Sequence, residues 1–163
     1  MEGPAWRLLI YRLPTEPSRH RVAVWRELRR AGAVALQQAT WAVPAGEDFD
    51  AAVSRALDLI ARAEGHSFLF DVGPSVATEA QLEALFTAER EAEWVEFLSE
   101  CDKVEAELDE EEQSHERLRH WYRELRARDL YGAPSAEAAE ARLKECAEAL
   151  ETFAEHVFRA RER

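Results

Sequence analysis

The stretch from residue 6 to residue 44 constrains the fold more than any other part of this chain. It opens with residues 6–11, in which the side chains of both faces of a strand would be largely apolar. Such a run indicates a central strand that is covered on both sides. Pro14 and Pro17 then hold the chain extended. A helix is predicted over residues 18–32, with a serine as its N-cap and a glycine at its end.

The following segments continue the alternation of strands and helices. Residues 33–44 are rich in strand formers but carry Gln37 and Gln38 at their centre. They fit one long strand or two short strands joined by a kink. A second amphipathic helix is predicted over residues 47–64, and another strand over residues 67–72. Strands joined by crossover helices predict an open sheet with helices packed on one face.

The pattern becomes helical after residue 74. Apolar residues recur at helical spacing in three successive segments, 82–108, 118–125 and 139–157. Thr78 and Gln81 have the spacing of a capping box, which predicts the start of the first of these helices. The acidic run at 109–112 is expected to end it.

These patterns divide the chain into two parts. We expect residues 1–74 to form the sheet domain. Residues 75–163 are expected to form a helical hairpin or three-helix extension that packs on the sheet. Most of the five tryptophans fall on core positions, and Trp41 is expected to be the most exposed of them.

Charge and composition narrow the class of protein. The chain carries 33 acidic and 21 basic residues, a net charge of −12, which argues against indiscriminate nucleic-acid binding. No apolar run approaches the roughly 18 residues of a membrane helix, and the N-terminus lacks a signal-peptide pattern. We therefore expect a cytoplasmic protein without a membrane partner. In that compartment Cys101 and Cys146 are interpreted as small buried hydrophobes.

Basic residues gather at the start of the first helix. Arg12, Arg19, His20 and Arg21 fall in the preceding loop or in the first helical turn, where a helix presents its free N–H groups to an anion. Arginine suits tetrahedral oxyanions because its planar fork donates hydrogen bonds in pairs. This first cluster is a hypothetical oxyanion site. The alternative is a solvated face, or ion pairs with the acidic second half of the chain.

A second cluster lies in the acidic half. Arg119, Arg123 and Arg126 share one helical stripe, and together with the first cluster they could form a pocket for a divalent anion. Ion pairs with Glu116 and Glu124, or with Glu112, are the alternative.

A third group lies on the outer face of the first helix. Arg19, Arg26 and Arg30 fall within about 40° of one another at helical spacing, and such a stripe could follow a DNA backbone. Arg21 projects from the apolar side instead.

The sequence predicts neither a metal centre nor a cofactor. Glu112-x-x-His115 resembles half of a carboxylate-bridged metal site, but a second such motif is missing and we interpret it as chance. HExxH, CxxC and nucleophile-elbow patterns do not occur, so we do not expect an enzyme.

Two strings in the sequence are LIYRLPTEPSRHRVAVWRELRRAGAVALQQATWAVP and LRHWYRELRARDLYGAP. They resemble the N-terminal domain of the ChrB family of chromate-resistance proteins. The order of elements is also similar to the central domain of PaaX-type repressors and to the small endonuclease subunit of CRISPR adaptation complexes. This resemblance implies an α+β fold with a ferredoxin-like βαββαβ sheet, in which residues 33–44 split into two strands around Gln37-Gln38.

The resemblance also bears on function. The endonuclease relatives carry a metal-binding Asp at the end of the first strand, where this chain has Tyr11-Arg12-Leu13. A cation would be repelled there. The ChrB resemblance implies a regulatory or accessory role linked to chromate resistance. We expect a non-enzymatic homodimer that binds an oxyanion such as chromate or sulfate, with a DNA-binding transcriptional regulator as the alternative.

Overall fold

The computed structural model describes residues 6–73, 75–106 and 112–161. Strands and helices alternate up to residue 71, and helices follow. The elements are β1 (Trp6–Arg12), α1 (Arg19–Ala31), β2 (Val34–Gln37), β3 (Thr40–Pro44), α2 (Glu47–Arg62), β4 (His66–Asp71), α3 (Val76–Ala106), α4 (Glu112–Arg128) and α5 (Ala136–Arg161). None of these helices is long and apolar enough, within the described residues, to cross a bilayer.

The four strands form one antiparallel sheet in the order β2-β3-β1-β4. This α+β arrangement, with a helix in each crossover, confirms the predicted ferredoxin-like fold with a helical extension. Residues 33–44 form a hairpin, so the alternative with two short strands is correct. Its turn is Gln38-Ala39, and Ala39 has a left-handed φ of 60°.

One face of the sheet is covered by α1 and α2. Leu9 pairs with Trp41 and Arg7 pairs with Val43, so these side chains point to the same side. Arg7 also contacts Asp50 of α2, which shows that α2 lies over this face. The apolar residues buried there come from both layers: Leu9, Trp41 and Val43 from the sheet, and Val24, Leu28, Val53, Ala56 and Ile60 from the helices.

The opposite face is covered only in part. Trp6 is buried and meets Phe86 of α3 edge to face, with ring centroids 5.9 Å apart. On the edge strand β4, Phe68 and Phe70 are 59% and 51% exposed, and their rings stack at 6.3 Å. On the helix side of β1, Leu9 is buried and Arg7 and Tyr11 are half-buried, while the β4 side of the other face is open.

The first two helices end close to the predicted glycines, but the residue with a left-handed φ differs at the end of α2. Gly32 ends α1 with a left-handed φ of 84°, as expected of a C′ glycine. After α2 the left-handed residue is Glu64, with φ 57°, and Gly65 follows it. A Cβ on Gly65 would lie 2.7 Å from the carbonyl oxygen of Arg12. This glycine is needed because the chain passes close to the end of β1.

The start of α3 differs from the prediction. The helix begins at Val76, and the Thr78 N–H bonds to the hydroxyl oxygen of Ser75 at 3.4 Å. The capping box predicted at Thr78 and Gln81 is therefore wrong, because the serine three residues earlier supplies the cap. The acidic residues 109–111, which were predicted to end this helix, lie outside the described residues.

The chain divides into two compact units within α3, one ending at Phe86 and the other beginning at Thr87. The predicted boundary after residue 74 stays a prediction. The second unit has its own core, built from Trp94, Phe97, Cys101, Leu118, Leu125, Ala139 and Cys146. Both cysteines are buried and unpaired by a disulfide, as interpreted from the sequence. Burial raises the pKa of Cys101 to about 12, so this thiol stays protonated at neutral pH.

Asp129 joins α3 to the turn that follows α4. Its carboxylate accepts hydrogen bonds from the indole N–H of Trp94 at 2.9 Å, from Gly132 N–H at 3.0 Å and from Ala133 N–H at 2.9 Å. Asp129 is buried. A buried carboxylate with three donors is well satisfied, and the donors depend on it in turn.

Replacing Asp129 tests how much this turn stabilises the second unit. Asp129→Ala leaves buried N–H groups without an acceptor, and we expect a loss of about 2–4 kcal/mol in the free energy of unfolding. Urea denaturation followed by circular dichroism measures it. Glu96→Ala removes an exposed acid of α3 and should change stability by less than about 0.5 kcal/mol. Equal stabilities for the two variants would contradict the assigned role.

Candidate functional site

A groove of about 810 Å³ opens in the first unit between α1, the end of β1 and the β2–β3 hairpin. Its volume lies in the range of ligand pockets, roughly 300–1,000 Å³. The lining residues are Tyr11, Arg12, Leu13, Arg21, Val22, Trp25, Arg26, Ala35, Gln37, Gln38, Ala39 and Trp41.

The position of the groove follows from the local structure of three segments. The pairing of β1 with β3 ends at Ile10, opposite Thr40, and the next residue, Tyr11, donates its backbone N–H to the carbonyl of Ala39 at 3.0 Å. The end of β1 therefore lies beside the hairpin turn. Above them, α1 is buried only at Val24 and Leu28, so its flank remains open toward the hairpin.

Three arginines line the groove, Arg12, Arg21 and Arg26. All three side chains are exposed. Within the described residues, none of them forms an ion pair, and the lining residues include no carboxylate. This is a local concentration of positive charge in a chain of net charge −12, and it favours an anionic ligand.

The floor of the groove carries two aromatic side chains with a polar group, the indole N–H of Trp41 and the hydroxyl of Tyr11. Trp41 is 2% exposed, and among the described residues its indole N–H has no acceptor at hydrogen-bonding distance. It lies near the phenol oxygen of Tyr11. Burial raises the pKa of Tyr11, and the nearby indole N–H opposes this in part. The phenol is therefore neutral at physiological pH, and it can donate a hydrogen bond to a ligand.

Trp25 forms part of the wall from α1. Trp41 was expected to be the most exposed tryptophan. This prediction is wrong, because Trp25 is 51% exposed while Trp41 is buried. Trp41 lies on the sheet face that α1 covers, whereas Trp25 lies on the open flank of the helix. The guanidinium of Arg29 lies 5.8 Å from the centre of the Trp25 ring.

The first predicted cluster is only partly brought together. Arg12 and Arg21 line the groove. Arg19 and His20 begin α1 but are not among the lining residues. Arg26, which was placed on the outer stripe, lines the groove beside Arg21. The roles assigned to these residues stay predictions.

The outer stripe of α1 is solvent-exposed. Arg19, Arg26 and Arg30 are all exposed side chains. Arg26 also lines the groove, whereas Arg19 and Arg30 are not among the lining residues. The three arginines therefore do not belong to a single surface.

The second cluster lies in the second unit, on α4. Arg119 forms an ion pair with Glu116 at 3.3 Å, and His120 lies 3.5 Å from Glu124. Arg123 and Arg126 are exposed and form no ion pair with another described residue. The alternative interpretation, local pairing along the helix, is thus correct for Arg119. In the Glu112-x-x-His115 motif, the side chain of Glu112 lies outside the described residues.

Sequence reasoning missed the contribution of the hairpin to the groove. Gln37, Gln38 and Trp41 line it, and the Gln37 amide donates to the Thr40 hydroxyl at 3.3 Å. A signal was present, because two glutamines in the middle of an apolar run have no place in a buried strand.

Comparison with known proteins identifies the family. The model of the family described as "Protein ChrB, N-terminal" matches residues 21–163. This chain belongs to the ChrB N-terminal family. That membership links it to chromate resistance. The match begins at Arg21, so Tyr11 and Arg12 precede the matched range.

A curated relative supports this assignment. Protein ChrB of Cupriavidus metallidurans is 30% identical over 118 residues, which cover 71% of this chain and 36% of the relative. The chain thus spans about a third of the length of that protein. No solved structure gives a significant match.

Several residues of the second ChrB-like string, 118–134, stabilise the second unit. Leu118 and Leu125 lie in the core of the second unit, and Asp129 anchors the turn. Arg128 pairs with Glu93 at 3.2 Å. The predicted role of Arg119, Arg123 and Arg126 in anion binding stays a prediction.

Proposed function

We propose that this ChrB-family chain is a cytoplasmic, non-enzymatic regulatory or accessory domain that binds an oxyanion such as chromate or sulfate in the groove. The observation that supports it is the set of guanidinium groups from Arg12, Arg21 and Arg26, without carboxylates among the described residues that line the groove. Bidentate donors of this kind suit tetrahedral oxyanions. The neutral Tyr11 hydroxyl adds a donor beside them.

The energetics favour an anion in this place. Three positive groups that share one groove repel one another, and a bound dianion removes that repulsion as well as accepting their hydrogen bonds. The groups are exposed, so the attraction is screened by salt. We therefore expect modest affinity that falls as the ionic strength rises.

Removing Arg21 tests the oxyanion site. Isothermal titration of Arg21→Ala with chromate and with sulfate at low salt should show an affinity at least about tenfold weaker than wild type, because one charged hydrogen bond contributes about 1.5 kcal/mol or more. Arg62→Ala is a matched control, since Arg62 is an exposed arginine of α2 and does not line the groove. It should bind like wild type. Equal and negligible heats for wild type and Arg21→Ala would refute the proposal.

DNA-binding transcriptional regulation is the second candidate. The exposure of Arg19, Arg26 and Arg30 along α1 favours it, because such a row can contact successive phosphates. We expect a mobility shift with the DNA upstream of the protein's own gene that persists under nonspecific competitor and weakens in an Arg19→Ala, Arg30→Ala double variant. A shift that disappears with competitor speaks against this function.

The proposal includes a homodimer that uses the open side of the sheet. The edge strand β4 presents Phe68 and Phe70 to solvent, and exposed apolar edge strands favour association. Sedimentation velocity should show a dimer for wild type and a monomer for Phe68→Asp. Phe158→Asp is the control, because Phe158 is 64% exposed on α5, and it should remain dimeric. A monomeric wild type would exclude this association.

A further inference from the structure

The groove is much larger than a simple oxyanion requires. A tetrahedral ion has five heavy atoms and fills only a small part of 810 Å³, a volume typical of pockets for drug-sized molecules. The three guanidinium groups account for a negative charge on the ligand. They do not account for the remaining, less polar part of the groove.

The wall supplied by α1 shows what that remaining part can bind. Val22 is 43% exposed and Trp25 is 51% exposed, and both line the groove between Arg21 and Arg26. Trp25 follows Arg21 by one helical turn, so the indole and the guanidinium lie on the same side of α1. An exposed indole beside a cationic group is suited to stack on a planar ring whose substituent is negatively charged.

Further features of the wall and floor suit them to bind a planar ring. Arg29 lies over the Trp25 ring at 5.8 Å, a cation–π contact that helps to orient the indole. On the floor, the buried Trp41 indole N–H lacks an acceptor among the described residues. Tyr11, which lies next to it, can donate its hydroxyl proton to a ligand. Gln37 and Gln38 add amide groups that can bond to the edge of a planar ring.

We propose that the groove binds a phosphorylated aromatic ligand of mononucleotide size, with its phosphate on Arg12, Arg21 and Arg26 and its ring on Trp25. This rests on the proposed oxyanion site and names the class of ligand that the site takes. The same chemistry is offered by a free nucleotide and by a nucleotide unit of single-stranded nucleic acid. The net charge of −12 disfavours a long phosphate backbone running on from the groove, and this favours the free nucleotide.

The experiment compares four probes on the full chain by isothermal titration at low salt. The probes are inorganic phosphate, adenosine, AMP and a single-stranded adenine decamer. For wild type, AMP should bind at least about fivefold more tightly than phosphate or adenosine, since stacking a base on an aromatic side chain adds an affinity factor of roughly 5 to 150. The decamer should bind no more tightly than AMP.

Two variants separate this inference from the oxyanion site itself. Trp25→Ala should weaken AMP binding by about 5- to 100-fold and leave phosphate binding within about twofold, while Trp25→Phe retains most of the AMP affinity. Arg21→Ala should weaken both AMP and phosphate. Thermal melting should show that each variant is folded, as expected for exposed positions.

Each contrary outcome has a definite meaning. If phosphate, chromate or sulfate binds but AMP binds no better, the oxyanion site stands and the inference about the ring is refuted. If the decamer binds and AMP does not, the free-nucleotide ligand is refuted. If Trp25→Ala weakens phosphate as much as AMP, stacking is refuted as the role of Trp25. If none of the probes nor chromate binds, both proposals fail.

Discussion

Two ladders of backbone hydrogen bonds on β1 determine where the groove can form. β1 pairs with β3 as far as Ile10 and with β4 as far as Arg12, so its last two residues extend beyond the ladder on the hairpin side. The bond from Tyr11 N–H to Ala39 O then holds that extension against the turn. The end of β1 is thus hydrogen-bonded on both edges, to β4 and to the hairpin turn. The close passage of Gly65 behind Arg12 removes space for movement in the other direction.

The groove is open because α1 contacts the sheet over only a narrow stripe of residues. In α1 only Val24 and Leu28 are buried, one helical turn apart, so the helix contacts the sheet along a thin stripe. A wider apolar stripe, which is usual for a helix on a sheet, would place Trp25 in the core and close the groove. Arg21 instead occupies a position one turn before Trp25, where its charge cannot be buried without a partner. The charge therefore keeps this flank of α1 open, and the exposed indole follows from it.

The sequence predicted the architecture well and the site only in part. Strand and helix periodicity located the elements of the first unit, because burial on one face leaves a regular pattern. The choice between one strand and a hairpin for residues 33–44 depended on Gln37-Gln38, whose polarity fits a turn. Arg26 was assigned to an outer stripe because helical angles give directions around an axis and not distances to a neighbouring hairpin. The exposures of Trp25 and Trp41 were reversed for the same reason, since they depend on which sheet face α1 covers.

The two ChrB-like strings carry different kinds of information about function. In residues 118–134, the core leucines and the anchoring Asp129 explain why these residue types suit their positions, and Arg119 is paired with Glu116. A likeness there identifies the fold of the second unit without identifying a ligand. In the first string, Arg21, Trp25 and Arg26 are neither buried nor ion-paired within the described part of the chain, so the stability of the unit does not account for them. Side chains that folding does not require are the ones from which ligand binding can be inferred, and these three line the same groove.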